Sequence, residues 1–249
     1  SRHDISDEKW AIIGPMLAKA GTETRGRKRK DDRLIFNAIL WIMKTGAPWR
    51  DLHPEFGPWN TVHKRFLEWA RLEVWNDILR MLSINADPEA IIIDATFIKL
   101  HQHGTGAKGA FNQKVGRSKG GLTTKVHAVV DALGNPLRIH LTAGNVNDIV
   151  PACDLIEGLL ADKLLADRAY DANKLLALAE RQNHEVVIPP VPGRLVQREY
   201  DIHAYKERHL VECFFAKLKS FRRVATRYDK LAITFKATVM LAACLVWLQ

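Results

Sequence analysis

Residues 90–100 read AIIIDATFIKL. A run of apolar, mostly β-branched residues predicts a strand buried on both faces, and Asp94 lies in its middle. A carboxylate carried into such a strand must be paired, protonated or bound to a metal, because desolvating it alone is prohibitive.

Downstream, short strands alternate with helices. Residues 125–132 and 137–143 are two further strands, turned by Gly134, Asn135 and Pro136 into an antiparallel hairpin. A helix is predicted over 151–160 and a fourth strand over 163–169, delivering Asp167 at its exit. A helix over 172–182 and a fifth strand over 185–191, ended by prolines, follow. The order β-β-β-α-β-α-β-α predicts an α/β unit: a mixed five-stranded sheet with helices on both faces and the first strand central. Asp94 and Asp167 can then be neighbours.

Residues 205–219, YKERHLVECFFAKLK, predict one helix. At about 100° per residue, Tyr205, Arg208, Glu212 and Lys219 share a face, with Leu210, Val211, Phe214, Leu218 and Phe221 opposite. Two readings fit the polar face. It is a surface laced with i,i+4 ion pairs, or a carboxylate between cations that ligates a metal facing phosphate. Laid across the sheet, this helix would bring Glu212 to Asp94 and Asp167. Three acids converging in a basic chain read as a two-metal site for phosphodiester chemistry, and magnesium suits hard oxygen donors. Asp167 alone reads equally well as a turn cap.

Upstream lies a helical unit. Ser6 caps a helix carrying Trp10, Ile13 and Leu17, and Gly21 ends it. Asp31 or Asp32 starts a second, periodic in Ile35, Ala38, Ile39, Ile42 and Met43 up to Gly46. Asn60 caps a third that runs to Arg71 with His63, Lys64 and Arg65 outward, and a fourth spans 73–82. A helix-turn-helix fits this pattern, and so does an ordinary bundle, given the long connection 46–59. Trp41, Trp49, Trp59, Trp69 and Trp75 read as core and turn anchors, with Trp49 and Trp59 open to base stacking. Arg27, Lys28 and Arg29 are a solvated run or a DNA-contacting arm. Asn85, Asp87 and Pro88 form a linker, dividing a helical domain (1–86) from the α/β domain (87–249).

Lys and Arg number 37 against 28 Asp and Glu, and the resulting charge of +9 favours an anionic polymer as partner. Cys153, Cys213 and Cys244 are widely spaced, with no CxxC, so neither a disulfide framework nor a thiolate zinc site is indicated, and a reducing cytoplasm fits. Residues 1–20 lack a signal pattern. The most apolar run, 239–248, is too short for a bilayer and predicts a buried helix.

IIIDAT around Asp94, LLADRAYDA around Asp167 and the Tyr205-x2-Arg208-x3-Glu212-x6-Lys219 spacing together resemble the three DDE boxes of bacterial insertion-sequence transposases of the four and five families. GGLTTKVHAVVDALGNP and FRRVATRYDKL are similar to the five-type lineage, so the resemblance spans essentially the whole chain. Cys213 departs from it, since an arginine is expected beside the glutamate. The resemblance implies an RNase H-like catalytic domain behind a helix-turn-helix-like DNA-binding domain, with metal-dependent cleavage and strand transfer at the ends of an insertion sequence. Asp94 would bridge two Mg2+ ions, for which Mn2+ can substitute, with Asp167 and Glu212 each completing one shell. Tyr205, Arg208 and Lys219 would hold phosphates.

Further DNA contacts are expected from Lys108, Lys114, Arg117 and Lys119 in the loop 101–124, together with Arg27, Lys28, Arg29, Lys64 and Arg65. Asn147 and Asp148 are expected to support the metal ligands, although Asp148 reads more readily as a helix cap. His127 and His140 are read as core or surface residues. The expected partners are double-stranded DNA, as terminal inverted repeats and target, and a second copy of the chain, in the bacterial cytoplasm and on the nucleoid when bound. A metal-dependent endonuclease without strand transfer would need the same acids. A domesticated DNA-binding regulator would need only the helical domain.

Overall fold

A computed structural model describes residues 3–19, 30–106, 113–195 and 197–249. Helix α1 (Asp7–Lys19) follows Ser6, whose hydroxyl accepts from the Lys9 N–H at 3.4 Å. Asp31 caps α2 (Asp32–Thr45), accepting from the Arg33 N–H at 2.9 Å, and Gly46 ends it in the left-handed region at φ 74°. Helix α3 (Trp59–Arg71) begins after Pro58, so Asn60 lies in its first turn instead of capping it. Between α2 and α3 run two 3-10 turns, Trp49–Asp51 and Pro54–Phe56. Helix α4 is Val74–Leu82.

Strand β1 (Ala90–Leu100) is central. It pairs antiparallel with β3 (Gly121–Asp131) and parallel with β5 (Lys163–Leu165). Beyond β3 lies β4 (Pro136–Ala143), and beyond β5 lies β6 (Glu185–Val187). The body of the sheet thus runs β4-β3-β1-β5-β6, the RNase H-like arrangement of a meander followed by two crossover strands. Two short strands complete seven among the described residues: β2 (Gly116–Ser118) on β3 and β7 (Thr226–Arg227) on the end of β1. The segment expected as a loop over 101–124 therefore includes a small hairpin. Helices α5 (Ala152–Ile156) and α6 (Asn173–Arg181) cover one face.

The helix expected over 205–219 is broken in two, α7 (Ile202–Lys206) and α8 (His209–Lys219). At the joint, i→i−3 bonds replace the α pattern: the N–H groups of Leu210 and Val211 donate to the carbonyls of Glu207 and Arg208 at 3.0 and 3.3 Å. Helix α9 (Arg222–Ala225) and α10 (Ala232–Trp247) follow. Apolar on all sides, α10 is buried almost throughout, with Val239, Leu241, Ala242, Ala243 and Cys244 fully enclosed. It packs on α3, α4, α8 and β4. One apolar core therefore runs from Ile35, Phe36 and Trp69 through α10 to Ile92 and Val126, across the linker near residue 86.

Candidate active site

Alternation along β1 sorts its side chains. Ile91 and Ile93 join the core under α5 and α6, whereas Ile92 and Ile98 join the one under α8 and α10. Asp94 and Thr96 share the second face, and residues at both ends of α8 reach them. Arg208 donates from Nη1 to Asp94 Oδ2 at 3.0 Å, and its Nη2 pairs with Glu212 Oε1. Lys219 donates from Nζ to Thr96 Oγ1 at 2.6 Å. Tyr205, half-buried, packs edge-on to Tyr200 at 5.7 Å between ring centres.

Burial pushes Asp94 up to about 6. Its Oδ1 bond from the Ala95 N–H at 2.7 Å and the Arg208 charge pull down, while the charges of Asp167 and Asp148 add to the rise. Asp167 stands just past β5, where its Oδ1 accepts from the Ala169 N–H at 2.8 Å and caps a 3-10 turn, Arg168–Tyr170. The cap and the electrostatic contact with Asp94 coexist. Burial lowers the Lys219 ammonium from its ordinary value. Among the described residues, no three His, Cys, Asp or Glu side chains are gathered so as to hold a metal ion. The guanidinium of Arg208 stands between Asp94 and Glu212 instead.

Asp148 does not cap a helix. It pairs with Lys125 on β3 at 2.7 Å and lies 3.9 Å from His127 Nδ1. Lys125, buried, also donates to the Val146 carbonyl at 2.7 Å and sits 4.7 Å over the Phe97 ring. Sequence reasoning passed over Lys125 and Thr96. The two-residue period from Asp94 was the available signal for Thr96; nothing in the sequence paired Lys125 with Asp148. Asn147 is exposed in the same turn. His127 is a core residue, its Nε2 2.8 Å from Thr142 Oγ1, and burial pushes it down to about 4.

Of the other basic residues, Lys64, Lys114, Arg117 and Lys119 are exposed. Arg65 was expected to point outward but is committed to Asp32 and, at 3.0 Å, to Glu68, with 13% of its side chain exposed. Arg27, Lys28, Arg29 and Lys108 lie outside the described residues. Cys213 is exposed and free.

Residues 85–247 match the family described as "Transposase DDE domain", and residues 5–79 match "Putative transposase of IS4/5 family". The "Putative transposase for insertion sequence element IS6501" of Brucella ovis is 44% identical over 130 residues, which cover 51% of this chain and 100% of that protein. A Burkholderia cepacia protein with the same description for element IS402 is 34% identical over 136 residues, covering 49% of this chain and 62% of that protein. Among solved structures, a piggyBac transposase synaptic complex with hairpin DNA aligns over 76% of this chain at a TM-score of 0.43 and 10% identity. This chain spans 50% of the length of that one.

Proposed function

We propose, from the premise that this chain belongs to the DDE transposase family, that it binds the ends of an insertion sequence and catalyses strand cleavage and strand transfer with Asp94, Asp167 and Glu212 as its acids. The observation that carries this reading is the bridge through Arg208, which draws an acid of the central strand and an acid of α8 to one place.

The donor set suits a hard divalent cation. All three acids offer carboxylate oxygens, and Asp94 is held against ionisation by its burial and by two neighbouring acids, a strain that a cation relieves. In our reading Asp94, Asp167 and Glu212 hold two magnesium ions, or manganese in their place. When bound, such ions supply an activated oxygen nucleophile and stabilise the leaving oxygen.

The chain's own residues do the rest. Asp94 is held by its pairing with Ala128 of β3, just past the point where the parallel ladder with β5 ends at Ile92. The turn cap fixes the Asp167 carboxylate. Lys219, anchored on Thr96, and Tyr205 offer donors to phosphate oxygens beside the acids, and Arg208 does so once it leaves Asp94 and Glu212. Asp148, held in place by Lys125, adds to the negative charge that Asp94 faces. Lys64, Lys114, Arg117 and Lys119 meet the DNA backbone, with the helical unit 1–86 as binding domain and 87–249 as catalytic domain. No described helix is long and apolar enough to cross a membrane. We place the protein in the bacterial cytoplasm, on the nucleoid when bound, acting as a dimer that joins two ends. Incubation with element ends and magnesium, resolved on a denaturing gel, tests the proposal. Nicked ends and joined products are expected from the wild type and neither from D94N; cut DNA without joined product would leave a nuclease.

A further inference from the structure

Arg208 is engaged by acids, not open to a ligand. It lies one helical turn before Glu212, at the joint between α7 and α8, and its fork reaches Asp94 with one nitrogen and Glu212 with another. The three side chains are 22%, 18% and 56% exposed, so the Asp94 contact is the better shielded. We propose that Arg208 is a built-in counter-ion. It holds the acidic site together before a divalent cation enters, competes with that cation for Asp94 and Glu212, and is released toward an anionic ligand when displaced. This rests on the reading of the acids as a metal site.

The charges of Asp167 and Asp148 both act on Asp94 through space. With no cation among them, that repulsion adds to the desolvation of Asp94, and one cation relieves both. Arginine suits the post because its planar fork serves two carboxylates at once and keeps its charge when half-buried. The same oxygens cannot be fully neutralised by a guanidinium and a divalent ion together, so ion entry is an exchange. The apparent metal affinity is then lowered by whatever the arginine contacts are worth. Lys219 stays outside the exchange, because it is anchored on a hydroxyl. The exchange therefore frees one guanidinium at the place where the acids work.

The experiment is calorimetric titration with Mn2+ in the absence of DNA, on the wild type, R208Q, R208K and D94N. R208Q is expected to bind Mn2+ about tenfold more tightly than the wild type, equivalent to ~1.4 kcal/mol, with R208K in between. In EDTA, R208Q should melt below the wild type, and saturating Mn2+ should close the gap. Binding by R208Q equal to or weaker than the wild type overturns the counter-ion, provided the wild type binds and D94N does not. Should the wild type fail to bind, or D94N bind equally well, the metal reading falls and takes this proposal with it. R208K, which keeps the charge and loses the fork, separates the two if R208Q does not fold.

Discussion

Asp94, half-buried, and Asp131, fully buried, are carboxylates on paired strands of one sheet, and their surroundings differ in kind. Asp131, fully buried at the end of β3, accepts from the N–H groups of Leu133, Asn135 and Asp87 and from the Asn135 amide, at 2.8 to 3.2 Å. Its oxygens are saturated by neutral donors that close a hairpin and tie in the linker. Asp171 is closed in another way, its side chain enclosed between Arg194 and Arg198 with the Val191 N–H donating at 2.8 Å. Asp94 accepts from one neutral N–H and otherwise faces charges. Burial of an acid does not therefore mark a catalytic site. What sets Asp94 apart from both is that the arginine answering its charge is shared with a second acid, Glu212.

The largest expected difference between these acids is in activity. D94N should lose cleavage by on the order of 10³-fold or more while melting close to the wild type, as a magnesium-dependent gel assay and thermal denaturation would show. D131A should behave in the opposite way, losing about 3 kcal/mol of stability because several donors are left without acceptors, with cleavage per folded molecule retained; urea unfolding reads the loss. Equal catalytic damage from both would break the comparison.

A pH titration sharpens it further. Asp94 is pushed up to about 6 from 3.8, so the folded state holds its proton more tightly than the unfolded chain. Its contribution is fully present below the unfolded value and is lost as pH rises through the folded one. In EDTA, unfolding free energy should fall between these two values and then level off, and D94N should flatten that slope. Smallest of all is C213A, expected to stay within about 0.5 kcal/mol of the wild type in urea because the thiol is exposed.

Strands β1 and β4 were legible nearly to the residue, because a continuous apolar run and a Gly-Asn-Pro turn leave little choice. Strands β2 and β7, of three and two residues, are too short to carry a period. The break at Glu207–Arg208 had no glycine or proline to announce it. It goes with tertiary contact, since the chain turns there so that Arg208 reaches across to β1. Helical spacing correctly put Arg208 and Glu212 on one side, but a wheel cannot tell a guanidinium offered to phosphate from one already spent on an acid. The meeting of the acids was legible in part: Asp94 and Glu212 share Arg208, and Asp167 is felt by Asp94 through its charge, without the three forming a ready-made cage.

The placement of α10 has a consequence for how the polypeptide matures. Because this late segment fills the seam between α3, α4 and the sheet, the first helices emerge from the ribosome lacking the surface that finishes them. They remain with an uncovered greasy flank until more than two hundred residues have been made. An isolated amino-terminal fragment should accordingly be sticky and poorly ordered, and the first helices would mature together with the sheet.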